Sequence, residues 1–128
     1  MKLIIQIPCL NEEEVLPETL MALPRDVPGF DKVEWLIIDD GSTDKTVEVA
    51  KEFGADHVVS HNRTKGLARA FTTGIYKSLE LGADVIVNTD GDNQYQAADI
   101  PKLVEPILEG KSDIVVGARP IDTHKHFS

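Results

Sequence analysis

Cysteine is nearly absent from the 128 residues: Cys9 stands alone. It cannot close an internal disulfide, which agrees with a reducing compartment, and a lone thiol reads most simply as a small buried apolar residue. Basic residues are scarce too, with 13 Lys and Arg against 22 Asp and Glu and a formal charge of −9. A general basic patch for nucleic acid is therefore not expected. Long hydrophobic runs are missing. Leu3-Ile4-Ile5 and Leu36-Ile37-Ile38 are far too short to span a bilayer, and no charged-apolar-small signal pattern opens the chain. Repeats, linkers and low-complexity stretches are also lacking. One cytoplasmic globular domain is the expectation, and 41% hydrophobic and 27% charged residues agree with it.

What is present is an alternation of short Ile/Val-rich runs with longer segments of helical period, the pattern of repeated βαβ units. Strands are expected over Lys2 to Ile7, Val33 to Asp39, His57 to His61, Asp84 to Thr89 and Asp113 to Ala118. Continuous apolar runs such as Val85-Ile86-Val87 imply strands covered on both faces. Helices are expected from about Glu13 to before Pro24 with Asn11 as N-cap, from a Ser42 or Thr43 cap to Gly54, from Leu67 to Leu81, and from Ala97 to Leu108. Pro106 should bend or shorten the last of these. The third is expected to turn Leu67, Ala70, Phe71, Gly74, Ile75 and Leu79 inward, with Trp35 and Met21 as core fillers. Right-handed crossovers then give a doubly wound, mostly parallel α/β sheet with helices on both faces. Ligands bind such sheets beyond the carboxyl ends of the strands, where the strand order reverses.

Those strand ends carry the polar residues: Pro8-Cys9-Leu10-Asn11-Glu12, Asp39-Asp40-Gly41-Ser42, Asp90-Gly91-Asp92-Asn93-Gln94 and Gly117-Ala118-Arg119. Carboxylates gathered on one edge repel unless a positive group is shared among them, and a divalent cation is the simplest such group. Asp90 and Asp92 are two apart in an extended segment, so they point the same way and can offer oxygens to one hard cation, with Gln94 as a third. With 12 Asp in the chain, chance alone gives roughly one D-x-D somewhere, so it is the position at a buried strand end that gives the motif weight. The alternative is a solvated acidic turn. An EF-hand is excluded by the missing Gly and Glu of its loop. Mg²⁺ or Mn²⁺ on two or three protein oxygens leaves positions for substrate phosphates, which suggests a nucleotide diphosphate. The Asp39-Asp40 pair reads either as a turn or as a carboxylate accepting hydrogen bonds from a base or ribose. Neither a dinucleotide G-x-G-x-x-G nor a P-loop follows the first strand.

Five ordered stretches carry a resemblance: Ile7 to Glu13, Ile38 to Asp44, Asn62 to Gly66 with its Lys65-Gly66 pair, Thr89 to Tyr95, and Gly117-Ala118-Arg119. In this order they resemble the family 2 glycosyltransferases of the GT-A fold, most closely the dolichyl-phosphate mannosyltransferase-like and polyprenyl-phosphate sugar transferases. The resemblance implies that Pro8, Leu10 and Glu12 line the nucleotide, that Asp39 contacts the base, and that Asp90, Gly91, Asp92 and Gln94 form the metal and diphosphate motif. It places Lys65 and Arg119 near the donor phosphates or the acceptor, with Asp92 and Arg119 closest to the chemistry. The alternative readings are a strand-end ion pair for Arg119 and a solvated loop charge for Lys65.

The implied activity is metal-dependent transfer of a sugar from a GDP- or UDP-sugar to a polyprenyl (dolichyl or undecaprenyl) phosphate or related acceptor, in cell-envelope or glycan biosynthesis. A metal with Arg or Lys stabilises the charge growing on the departing diphosphate. A phosphate acceptor is ionised near neutral pH and attacks without a strong base, whereas a hydroxyl would need one, and Asp122 reads as a solvated tail acid. Members of this branch continue into acceptor-binding segments and often membrane helices. The resemblance therefore makes residues 1–128 the nucleotide-sugar-binding portion, with the acceptor half absent and the parent protein at the cytoplasmic face of a membrane. Binding without turnover is the alternative for this chain, and self-association through an exposed sheet end is compatible with either. A receiver-type signalling module, also acidic and α/β, is a further alternative; it would place its acidic pair after strand one and a Lys after strand five. His57, His61, His124 and His126 lack ligand partners at suitable spacing and read as surface residues.

Overall fold

A computed structural model describes residues 1–89 and the backbone of 114–116. Five parallel strands, β1 (Lys2–Cys9), β2 (Lys32–Asp39), β3 (His57–Ser60), β4 (Val85–Asn88) and β5 (Ile114–Val116), form one sheet in the order β3-β2-β1-β4-β5. The helices are α1 (Leu16–Ala22), α2 (Thr46–Glu52) and α3 (Leu67–Glu80). The chain winds outward from β1 through β2 to β3, then returns through α3 to β4 on the other side, so the order reverses between β1 and β4. This is the dinucleotide-fold order rather than the 2-1-3-4-5 order of receiver modules, which removes the signalling alternative. The expected helix Ala97 to Leu108 and the ends of the fifth strand lie outside the described residues.

The continuous apolar strands are explained by burial on both faces. Leu3, Ile5, Ile7, Val33, Trp35 and Ile37 pack with Leu16, Leu20 and Ala50 of α1 and α2. Ile4, Leu36 and Ile38 pack with Ala70 of α3 on the opposite face. Each strand residue thus meets helices on one side or the other, as period-two alternation requires. Cys9 is buried as expected.

Three packing expectations are corrected. Met21 is 75% exposed: α1 buries Leu16, Thr19 and Leu20, and Met21 falls roughly 140° round the helix from Leu16. On α3 the buried residues are the small Ala70, Gly74 and Ser78, while Leu79 points away at 58% exposure. Leu67 begins α3 past the covered part of the sheet and is 67% exposed.

Small residues on α3 admit a buried polar cluster. Gln6 Nε2 donates to Asn88 Oδ1 (2.9 Å) and to the Phe71 carbonyl (3.2 Å), and Gln6 Oε1 accepts from Ser78 Oγ (3.3 Å). A Cβ on Gly74 would stand 2.7 Å from the Gln6 amide carbon and oxygen. Gly74→Ala gains about 1 kcal/mol of helix propensity. It also displaces a fully buried, triply bonded amide, where overpacking costs about 1–3 kcal/mol and each lost hydrogen bond about 1 more. We expect a net loss of about 1–3 kcal/mol, read as a lower denaturation midpoint; equal or higher stability would show that α3 does not seat this closely.

Candidate functional site

The carboxyl ends of β1, β2 and β3 are tied into one surface by backbone bonds that extend the sheet, from Asp40 N to the Cys9 carbonyl (2.9 Å) and from His61 N to the Asp39 carbonyl (2.8 Å). Beyond them the loops after β1 and β2 bind each other through side chains. Asn11, in the left-handed region at φ 51°, accepts through Oδ1 from Thr43 N (2.8 Å) and Asp44 N (3.3 Å). In return Asn11 N donates to Ser42 Oγ (2.9 Å), Glu12 N to Thr46 Oγ1 (2.9 Å), and Glu13 N to Asp44 Oδ2 (3.2 Å). Asp44 Oδ1 also accepts from Thr46 N (2.9 Å) and from the Thr46 hydroxyl. Asn11 is therefore a clamp between loops and not the expected cap of α1, which starts later, at Leu16. Ser42 and Thr43 likewise hold Asn11 rather than capping α2, whose first turn is bound by Asp44.

Asp39 and Asp40 are adjacent and buried, but they serve opposite faces. Asp39 shares the strand parity of Trp35 and Ile37, and its Oδ1 accepts from Ser42 N (3.0 Å). Asp40 follows Leu36 and Ile38 towards α3. Its Oδ1 accepts from Lys65 N (2.9 Å) and pairs with His61 Nδ1 (2.7 Å), and its Oδ2 accepts from Gly66 N (3.0 Å). Burial pushes the Asp40 carboxyl up, but the bonds from His61, Lys65 N and Gly66 N outweigh it, so the group lies below the ordinary carboxylate range. The repulsion expected between these two carboxylates is offset by the protein donors that each accepts from.

A pocket of about 160 Å³ opens between β1 and α3. Pro8, Cys9, Leu10 and Glu12 form its β1 side, Asp40 its floor, and Thr64, Gly66, Leu67 and Ala70 its far wall. That is below the 300–1,000 Å³ typical of drug-sized ligands, so it holds one ring system rather than a whole sugar nucleotide. Largely apolar walls with two carboxylates, Asp40 and Glu12, suit a flat heterocycle that carries an N–H.

Of the expected site residues, Pro8, Leu10 and Glu12 meet in this pocket. Asp39 is not among its lining residues, and Asp40 is. Strand parity carries that signal, because only Asp40 lies on the face of Ile4, Leu36 and Ile38. The Lys65 side chain is exposed and its backbone N–H holds Asp40. Asp90, Gly91, Asp92, Gln94 and Arg119 lie outside the described residues. Among the described residues no three His, Cys, Asp or Glu side chains gather as a metal site. His61 is corrected from a surface residue to a buried one, its side chain 7% exposed; His57 is half-buried and pairs with Glu34 (3.0 Å). Thr64 and Gly66 enter the site through the close approach of the 62–66 segment to the end of β2, which spacing alone cannot show.

A strand order that reverses, with a pocket ringed by strand-end loops, defines a doubly wound α/β protein whose ligand edge is the carboxyl end of the sheet. Residues 4–127 match the family described as glycosyl transferase family 2, and the chain belongs to that family. It is 32% identical to UDP-N-acetylglucosamine--dolichyl-phosphate N-acetylglucosaminyltransferase of Methanococcus voltae, over 94% of this chain and 53% of that protein. With undecaprenyl-phosphate mannosyltransferase of Micrococcus luteus it shares 35% identity over 94% of this chain and 49% of that one. It also resembles the crystal structure of glucosyl-3-phosphoglycerate synthase from Mycobacterium tuberculosis in complex with UDP, with a TM-score of 0.67, 29% identity, and 86% of this chain and 41% of that one covered. The same enzyme with Mn²⁺, UDP-glucose and phosphoglyceric acid gives a TM-score of 0.65 at 28% identity, over 86% and 40% of the two chains. The fold is that of GT-A glycosyltransferases. The chain spans about half the length of the first two relatives, and no helix among the described residues is long and apolar enough to cross a membrane.

Proposed function

We propose that this chain binds the nucleotide of a sugar-nucleotide donor, in a protein that transfers the sugar to a polyprenyl phosphate. The observation that carries the reading is the position of Asp40: a buried, ionised acceptor in a largely apolar pocket at the carboxyl edge of the sheet, between the end of β1 and α3. Its carboxylate receives a base N–H, while Pro8, Leu10 and Leu67 cover the ring faces. The polyprenyl acceptor is supported by relatives named for dolichyl-phosphate and undecaprenyl-phosphate transfer, and the uridine donor by the solved enzyme bound to UDP and UDP-glucose.

The divalent metal falls to Asp90, Asp92 and Gln94. Asp40 is committed to three protein donors and Asp39 to the Ser42 amide, so neither carboxylate at the end of β2 is suited to holding the cation. The acidic motif follows directly on Thr89, whose N–H donates to the Gln6 carbonyl (2.9 Å) in line with β1. When bound, Mg²⁺ or Mn²⁺ supplies positive charge against the diphosphate as the sugar leaves. Arg119 and Lys65 add cationic charge for the same phosphates. The pocket residues hold the base and so fix where the diphosphate lies.

Because the chain spans about half of these relatives, the test reads binding. Isothermal titration with UDP, GDP and CDP should give Mn²⁺-dependent affinity for one of the first two. Asp92→Ala should lower that affinity at least about tenfold, the loss of one charge-assisted contact or more. Affinity that ignores both Mn²⁺ and the substitution would remove the metal assignment, and no binding of any nucleotide would remove the donor reading.

A further inference from the structure

The best-defined buried side chain that the reading above leaves unused is His61. It sits between the end of β3 and α3, its Nδ1 2.7 Å from Asp40 Oδ1 and its Nε2 2.9 Å from Thr73 Oγ1. An ionised carboxylate only accepts, so Nδ1 carries the proton toward Asp40. The imidazole is not itself among the residues lining the pocket; whatever it does for a ligand, it does through Asp40.

We propose that His61 is a positioning residue for base recognition, holding the Asp40 carboxylate so that one acceptor direction is left for a ligand N–H. The proposal rests on the nucleotide reading. A carboxylate offers about four acceptor directions. Lys65 N, Gly66 N and His61 Nδ1 occupy three of them from the protein side. Both oxygens are engaged, so the carboxylate does not present a two-pronged fork to a base, and a single ring N–H is what it can read. The two amides reach one oxygen each but come from one short segment, so they seat the carboxylate only against the 62–66 loop. The imidazole, just past the end of β3, ties it to the sheet as well. Thr73 completes the arrangement by fixing the far side of the ring to α3, the helix whose first turn walls the pocket with Leu67 and Ala70. The acceptor and the wall that covers the ring face are thereby set relative to each other.

Two substitutions separate this role from simple packing. The amide N–H of asparagine can stand near the position of Nδ1, and that of glutamine near Nε2. His61→Asn therefore keeps the donor to Asp40, while His61→Gln keeps only the partner of Thr73. UMP and GMP are titrated calorimetrically into wild type and variants, with Mn²⁺ and inorganic pyrophosphate as the control and thermal unfolding as the check on folding. For whichever nucleotide the wild type prefers, His61→Asn should stay within about threefold, and His61→Gln and His61→Ala should lose about tenfold or more. Pyrophosphate affinity should be unchanged throughout. Thr73→Val covers the case in which a His61 variant fails to fold; it keeps every Asp40 partner and should cost about threefold in nucleotide affinity alone. Equal nucleotide affinity in the folded Asn and Gln variants, matched losses for nucleotide and pyrophosphate, or an unaffected Thr73→Val would overturn the proposal. Failure of the wild type to bind either nucleotide would remove the donor reading and this proposal with it.

Discussion

Asp40→Asn should lose base recognition and a large share of the stability together. The substitution keeps the shape but turns one of two acceptor oxygens into a donor, in a site where three N–H groups converge. One of those donors then faces another donor while buried. Breaking a buried pair costs about 3–5 kcal/mol when a charge is stranded. Here the oxygen that is kept can still serve two of the three donors, so about 2–4 kcal/mol is the expectation, a large part of a total of about 5–15. The pH dependence has a definite sign. The folded Asp40 carboxyl lies below its ordinary value, so its contribution is complete above about pH 3.9 and is lost as pH falls through the lower folded value. Asp44 is shifted the same way: burial raises it, and the bonds from the Thr46 hydroxyl and amide and from Glu13 N together outweigh that and hold it down. Urea midpoints measured from pH 7 to pH 3 should fall steeply at the acid end for wild type and less so for Asp40→Asn, which lacks one of the two groups. Parallel curves would mean that Asp40 is not the paired, ionised group described. A variant as stable as wild type would mean that the three donors do not converge on it.

The sheet was legible in the sequence because burial on two faces leaves a local mark. Leu3-Ile4-Ile5, Leu36-Ile37-Ile38 and Val85-Ile86-Val87 are continuous apolar runs, and each became a strand covered by α1 and α2 on one side or α3 on the other. Helix starts were less legible because the residues that looked like caps had distant partners. Asn11, Ser42 and Thr43 are all good N-cap types, yet they spend their hydrogen bonds on one another across about 31 residues of chain, which no spacing rule detects. That Pro8, Leu10 and Glu12 would come together was legible at the end of β1 and in the loop after it, and they line one pocket. That Asp40 and not Asp39 lines this pocket required strand parity, since adjacent residues at a strand end face opposite ways. His61 was illegible for a different reason: its partners lie just past β2 and on α3, and without them a histidine after a half-buried edge strand resembles any surface histidine.

Gly41→Ala should be the other large effect, and it links the fold to the site in a single residue. Gly41 has φ +87°, and a Cβ there would lie 2.7 Å from both the Arg63 carbonyl carbon and Thr64 N, and 3.2 Å from Arg63 Cα. These are backbone atoms, so the clash cannot be relieved by turning a side chain. Left-handed geometry costs an alanine about 1–2 kcal/mol, and overlap without room to repack adds about 1–3. The segment that must yield is the one that delivers Lys65 N and Gly66 N to Asp40 and lines the pocket with Thr64 and Gly66. A loss of about 2–5 kcal/mol in chemical denaturation should therefore come with weaker nucleotide binding, even at temperatures where the variant remains folded. Gly74→Ala provides the contrast, since its strain falls on Gln6 deep beneath the pocket and should reduce stability with little change in affinity. If Gly41→Ala were destabilised yet bound nucleotide as well as wild type, the 62–66 segment would not be the wall of the base pocket. If its stability stayed within about 0.5 kcal/mol of wild type, the range of a neutral surface change, the close approach of that segment to β2 would itself be refuted.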